Sequence, residues 1–417
     1  MLTVPSFSFV DRYLLQKVLD ATGQMPIRVK LDNGTAESPS GCSPIATVHI
    51  HDRRALAGLV VNPEISFGDS YSEGRIEVEG NLVDFLESLY RSLINAEVNS
   101  WSAHLASVWL KLMQMNGRRG SRRNIHHHYD LTTEFYKLWL DSELVYTCAY
   151  FSSPTVSLEQ AQLAKMDYVC RKLDLRPGET VVEAGCGWGA LALYMAKNYG
   201  VSVKAFNISH EQIVYARRRA REEGLSDRVE FIEDDYRNIS GHCDAFVSVG
   251  MLEHVGREHY KDFGRVIHNA IGATGRGLIH FIGRNHKYPL SVWVRKRIFP
   301  GAYPPTLREA AEMLEPHDFS VLDVENLRLH YAKTLEHWLE RYEKSQPEVA
   351  AMFDSRFARA WRLYLAGSLV GFKVGTLQLF QMVFAGPQCP RLPWTRASLY
   401  ADQPQKERRS QWTHAMS

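Results

Sequence analysis

The run Val181-Val182-Glu183-Ala184-Gly185-Cys186-Gly187-Trp188-Gly189 constrains this chain more than any other stretch. A short apolar strand breaks into alternating glycines, and Ala190 to Met195 then continues at helical spacing. Glycines there let the backbone take positive φ and let a ligand come close to the main chain. The helix start beyond them offers free N–H groups to a polar ligand. Two ligands fit such a turn. Gly185, Gly187 and Ala190 satisfy the spacing of a dinucleotide fingerprint. The same letters satisfy the E-x-G-x-G-x-G turn that holds S-adenosylmethionine in methyltransferases. A nicotinamide dinucleotide asks for a carboxylate about 20 residues on. The second strand, Val201 to Phe206, ends instead in Asn207, which counts against that ligand.

The downstream chain supplies the frame for this turn. A helix over Glu159–Leu173 precedes it. Another follows from His210 to Glu223, with Ser209 at its cap. Further strands are expected at Arg228–Ile232, Asp244–Val249 and Gly277–Ile282. Strands alternating with helices of this length predict a parallel, doubly wound α/β sheet, whose ligands sit at the carboxyl ends of the strands. Those ends carry Gly185, Asn207, the acidic run through Asp235, the segment Gly250 to His254, and His280. Glu253 and His280 stand on neighbouring strand ends and are candidates for chemistry. Beyond 300, Asn326–Tyr331 reads as a late strand. Thr334–Tyr342, Ala350–Gly371 and Gly375–Phe384 read as apolar and mostly helical, with Trp338, Trp361, Phe372, Phe380 and Phe384 as core and pocket lining.

Residues 1–115 read differently, as a small α+β domain with strands at Ile27–Leu31 and Thr47–Ile50, an alternating run at Gly74–Gly80 and an amphipathic helix from Leu82 to Val98. Residues 116–395 form the larger domain, and 396–417 a polar tail expected to be disordered. The 417 residues carry a net charge of only +2, so no strong field favours nucleic acid. The six cysteines include no C-x-x-C pair, which fits a reducing compartment and argues against disulfides or zinc. His126-His127-His128 lacks the partners a metal site needs, so no metal is expected. Asp11 and Arg12 interrupt the first apolar stretch, against a signal peptide, and no apolar run approaches a membrane span.

With these blocks in order, the chain resembles the cyclopropane-fatty-acid-phospholipid synthase family and the related mycolic acid cyclopropane synthases. The resemblance runs from about residue 66 to 386. It rests on Gly68-Asp69-Ser70-Tyr71, His128-Tyr129-Asp130-Leu131, Tyr146-Thr147-Cys148-Ala149-Tyr150-Phe151, the glycine turn, Ser248 to Gly256, His280-Phe281-Ile282-Gly283, Ile298-Phe299-Pro300-Gly301 and His330 to Leu335. It implies a Rossmann-like methyltransferase sheet with a smaller α+β N-terminal domain. It also implies transfer of the sulfonium methyl of S-adenosylmethionine to an acyl-chain double bond, with ring closure after a bound bicarbonate removes a proton.

Residue by residue, the resemblance places Cys148, Glu253, His280, Ile282 and Tyr331 around the bicarbonate, Ile282 through its backbone N–H. Glu253 would orient His280 or share the bicarbonate proton. It places Tyr146, Thr147, Gly185, Cys186, Gly187, Asn207, Gln212, Asp235, Tyr236 and Arg237 at the cofactor. Tyr150, Phe151 and Phe281 are candidate aromatic faces for the carbocation. Ser368 stands where many relatives carry cysteine, so a covalent sulfur route there is not open. The substrate implies a cytoplasmic protein lying on the inner face of the cell membrane, with Arg118–Arg123 and Arg295-Lys296-Arg297 as candidates for anionic headgroups. Relatives are often homodimers. The same family chemistry can also yield a methyl-branched or methylene product, and a catalytically dead lipid-binding protein is the rival from another class.

Overall fold

The computed structural model describes residues 9–21, 25–32, 36–37, 43–95, 131–288 and 290–400. The seam expected near residue 115, the Arg118–Arg123 run, the His126–His128 run and the chain from 401 lie outside them.

Seven strands make the main sheet: β5 (Thr180–Ala184), β6 (Ser202–Asn207), β7 (Val229–Glu233), β8 (Ala245–Val249), β9 (Arg276–Gly283), β10 (Ser320–Asn326) and β11 (Gln378–Ala385). Their order is β10-β11-β9-β8-β5-β6-β7. The run from β9 to β7 is parallel, whereas β11 lies antiparallel to both β9 and β10. Helices Leu158–Lys172, Ala190–Tyr199, His210–Glu222 and Tyr260–Ile271 cover the two faces. The first is fixed by a capping box in which Ser157 and Gln160 each take the other's backbone N–H. Ser209 does hold the N-cap position of the third, but its side chain makes no cap bond.

Two expectations fail at the C-terminal edge. Gly375–Phe384 is not helical but contains β11. Every residue of β11 is buried, so its sequence shows no two-residue alternation and reads like a buried helix. The late strand expected at Asn326–Tyr331 lies earlier, at Ser320–Asn326, and Arg328–Tyr331 is instead the start of the long helix Arg328–Met352, where the Asn326 side chain accepts from Arg328 N.

The N-terminal residues fold around a second sheet of four strands: β1 (Ile27–Leu31), β2 (Ala36–Glu37), β3 (Ala46–Ile50) and β4 (Ile76–Gly80), in the order β2-β1-β3-β4. It carries the helices Arg53–Val61, Pro63–Ser72 and Leu82–Asn95. This unit docks through the Gly68–Tyr71 segment. Gly68 lies against the Trp293 ring, where an added Cβ would come within 2.4 Å of a ring carbon. Asp69 accepts a two-pronged bond from Arg297 at 3.0 and 2.7 Å. Arg362 donates to the Tyr71 hydroxyl and Arg359 to its carbonyl. Arg297 is thus committed to the seam rather than free for a headgroup, while Arg295 is half-buried beside it. Of the tail, Ala397–Tyr400 is a short helix tied down by Arg171, which donates to the Leu399 carbonyl.

Candidate active site

A crevice opens at the carboxyl rim of β5, β6 and β8, where the glycine turn leaves the sheet. Gly185, Gly187 and Gly189 all take positive φ, at 83°, 54° and 85°. A side chain at Gly189 would strike Phe231 at 2.5 Å, whereas the space beside Gly187 is open. The turn therefore packs on one side and presents bare backbone on the other. Seven of the ten residues expected at a cofactor line this crevice: Tyr146, Thr147, Gly185, Cys186, Gly187, Asn207 and Gln212. Asn207 donates to the Gln212 side chain at 2.7 Å and to the Gly187 carbonyl at 3.3 Å, so all three are held in mutual register. Asp235, Tyr236 and Arg237 stand one strand further along, outside the crevice wall. Asp235 caps their short turn by accepting from Arg237 N at 3.0 Å.

Sequence reasoning missed two charges in this wall. Glu183, on β5, is 2% exposed, and Lys165, on the helix Leu158–Lys172, is equally buried. Lys165 donates to the Thr147 hydroxyl at 3.0 Å, and the neighbouring Gln162 donates to the Thr147 carbonyl at 2.9 Å. Burial pushes the Glu183 carboxyl up and pulls the Lys165 ammonium down, and the attraction between them opposes both shifts. The signal was present. Leu158, Ala161, Gln162, Lys165, Met166 and Val169 fall on one buried helical face, and a lysine on such a stripe is out of place unless it has a partner. His254 also lines the crevice, and burial lowers its imidazole to about 4.

The expected anion cradle gathers at β9. The two-residue period puts His280 and Ile282 on one face and Phe281 on the other. Phe281 is buried in the opposite core layer with Phe380 and Phe384, so it is no candidate for the site, and those two are core alone. Glu253, in the short helix Leu252–Val255, accepts from Ile282 N through Oε1, while its Oε2 is buried without a hydrogen-bond partner among the described residues. The Ile282 N–H expected to face an anion is therefore given to Glu253. Burial pushes the Glu253 carboxyl up to about 7, against the pull of that N–H. Glu253 does not orient His280. The Gln381 side chain does, with its Nε2 at 3.1 Å from His280 Nδ1. His280 Nε2 is buried and has no hydrogen-bond partner among the described residues, and burial drives the ring well below the ordinary imidazole value, with Lys165 and Lys172 adding to the effect.

Cys148 and Tyr331 share one apolar cluster, against which Ile282 packs. Thr334, one helical turn after Tyr331, accepts from Ala149 N at 3.0 Å and so ties the Cys148 loop to the helix Arg328–Met352. Burial pushes the Cys148 thiol far up, so it stays a thiol. Tyr146 stands among Tyr136, Trp139 and Trp338, each with ring centroids 5.3 Å from its own, and its hydroxyl meets that of Tyr364 at 2.8 Å. Tyr150 and Phe151 stack instead on His330 and His337. Ser368 is half-buried one turn beyond Tyr364.

Comparison with known proteins agrees with this fold. The family model described as mycolic acid cyclopropane synthetase matches residues 117–382, and a model described only as a domain of unknown function matches 14–98. A probable fatty acid methyltransferase of Pseudomonas putida is 34% identical over 90% of this chain and 96% of its own. The cyclopropane-fatty-acyl-phospholipid synthase of Escherichia coli is 36% identical over 83% of this chain and 89% of its own. Among solved structures, the mycolic acid cyclopropane synthase CmaA1 complexed with SAH and CTAB superposes with a TM-score of 0.61 at 29% identity, covering 63% of this chain and 97% of that one.

Proposed function

The chain belongs to the mycolic acid cyclopropane synthetase family, and from that premise we propose that it adds a methylene across the double bond of unsaturated acyl chains in membrane phospholipids. The observation that carries this reading is a pair of buried polar atoms without hydrogen-bond partners among the described residues, Glu253 Oε2 and His280 Nε2, on two neighbouring elements behind an open glycine turn. Buried polar atoms are ordinarily satisfied, so such a pair fits a small polar guest.

The residues fit both groups the reaction needs. The bare backbone at Gly187 and the Asn207–Gln212 pair suit S-adenosylmethionine, which supplies an electrophilic methyl. The Glu253–His280 corner suits bicarbonate, which supplies a base. At neutral pH a large share of Glu253 is protonated, so its Oε2 offers a proton to an anion while Oε1 keeps the Ile282 N–H. His280 stays neutral and offers a single N–H. Cys148 contributes a thiol rather than a thiolate. Tyr146, which lines the crevice, is backed by the buried rings of Trp139 and Trp338 and suits a site that excludes water and offers a ring to positive charge, as an alkene acceptor requires.

Phospholipid as substrate is supported by the reach of the likeness. The Escherichia coli enzyme matches far more of this chain than the mycolic structure does, so the likeness extends past the catalytic fold. A membrane surface, a homodimer and an inner-leaflet location belong to the same proposal. No helix of the described residues is long and apolar enough to cross a membrane. A second reading, a methyl-branched or methylene product from the same cation, is favoured by the Pseudomonas putida relative's name. Incubation of the purified protein with methyl-labelled S-adenosylmethionine and monounsaturated phospholipid vesicles tests the proposal. Label recovered in cyclopropane fatty acids is expected. Label in branched chains selects the second reading, and label in neither defeats both.

A further inference from the structure

Gln381, which meets His280, is fully buried between Phe380 and Met382 on β11. Burying an amide costs free energy unless its hydrogen bonds are met; here Nε2 meets His280, while Oε1 has no hydrogen-bond partner among the described residues. Gln381 lies directly opposite His280 in the antiparallel β11–β9 register, so the two side chains rise from the same face of the sheet. They are 101 residues apart in sequence and meet at 3.1 Å, Gln381 Nε2 to His280 Nδ1.

A neutral imidazole has one N–H, and either nitrogen can carry it. An amide nitrogen donates only, so the ring nitrogen facing it must accept. We propose that Gln381 is a positioning residue that fixes the tautomer of His280: by donating to Nδ1 it forces the ring proton onto Nε2, the buried atom that has no hydrogen-bond partner among the described residues. This deepens the reading of His280 as a donor to a bound anion and rests on it.

The alternative arrangement has a definite cost. If the amide were turned over, Gln381 Oε1 would accept from Nδ1–H. The bare lone pair of Nε2 would then face the anion and repel it. A neutral imidazole serves this site better than an imidazolium, because a second positive charge would oppose binding of the sulfonium nearby. The site therefore needs a histidine that is uncharged yet still donates at Nε2, and a glutamine amide opposite Nδ1 provides that. A carboxylate at 381 would do the reverse, drawing the proton to Nδ1 and favouring the charged ring.

The test uses the full chain labelled with 15N at histidine, with the His280 signals assigned by their loss in His280→Gln. The ring nitrogen shifts of the wild type are expected to report Nε2–H at pH 7. Gln381→Met, close in length but without a donor, is expected to shift His280 toward the Nδ1–H form. It is also expected to lower kcat at least tenfold with little change in KM for S-adenosylmethionine. Gln381→Glu is expected to move the proton to Nδ1 and to displace the pH profile of kcat upward. Thermal melting confirms that each variant is folded. A wild-type ring in the Nδ1–H form overturns the proposal, and so does an unchanged tautomer in folded Gln381→Met. If the tautomer behaves as expected but wild-type protein leaves olefinic lipids untouched, the functional reading fails and the structural inference stands.

Discussion

Glu253 is held at a cost that its chemistry explains. Its ordinary value of 4.5 rises to about 7 in the fold. Between those values the folded chain keeps a proton that the unfolded chain has lost, so this group makes stability fall as pH rises through that window. The full penalty is present above about pH 7 and is on the order of 3–4 kcal/mol. Glu253→Gln is therefore expected to melt above the wild type at pH 8 and level with it near pH 4. Methyl transfer is expected to fall by about 10²-fold or more. Lower stability of this variant at pH 8 would contradict the assignment of a buried, unpaired carboxyl. The sequence pointed to Glu253 and His280 because both stand at strand ends. It could not show that Glu253 meets Ile282 and His280 meets Gln381. The first depends on how the short helix Leu252–Val255 lies beside β9, and the second on register between β9 and a strand whose uniform burial hid it.

Among elements, the glycine turn was legible because its chemistry is local. Positive φ at three glycines in a row of five needs no tertiary context to be expected. Gly189→Ala is expected to destabilise by about 1–3 kcal/mol, since it strains the backbone and drives a methyl into Phe231. Cofactor affinity, followed by calorimetry with S-adenosylhomocysteine, is expected to fall with it. A variant of wild-type stability and affinity would contradict the packing described. The strands of the parallel half were also legible, because each is a short apolar run followed by a patterned helix. The C-terminal edge was not. β11 is buried on both faces, and a run of that kind carries no period to tell strand from helix. Lys165 escaped for a related reason. A helix is read by its apolar stripe, and one lysine on the stripe is easily taken for its edge.

At the scale of the whole molecule, the Gly68–Tyr71 segment joins the N-terminal unit to the helices Val292–Arg297 and Ser355–Val374. In the sequence it was only a matching block with no evident work; the structure gives it a mechanical role. Gly68→Ala is expected to cost about 1–3 kcal/mol by forcing Trp293 aside. It is expected to leave the cofactor crevice intact, so S-adenosylhomocysteine binding should persist while the melting temperature drops. Because Arg297 is paired to Asp69, neutralising it should loosen this seam more than it weakens contact with lipid. Neutralising Arg118, Arg119, Arg122 and Arg123 should weaken flotation with anionic vesicles, each charge contributing about 1 kcal/mol near such a surface. Flotation unchanged by that substitution would remove these arginines from the account of membrane contact.

The central claim is that an activated methyl reaches an alkene carbon and then gives up a proton to close a ring. S-adenosylmethionine carrying a fully deuterated methyl group reads both steps at once in purified protein acting on monounsaturated phospholipid vesicles. Mass spectrometry of the recovered fatty acids is expected to show a ring carbon bearing two deuterons, the third having been lost to the base. Olefinic chains left unlabelled, with the deuterated methyl intact on a nitrogen or oxygen acceptor, would contradict it.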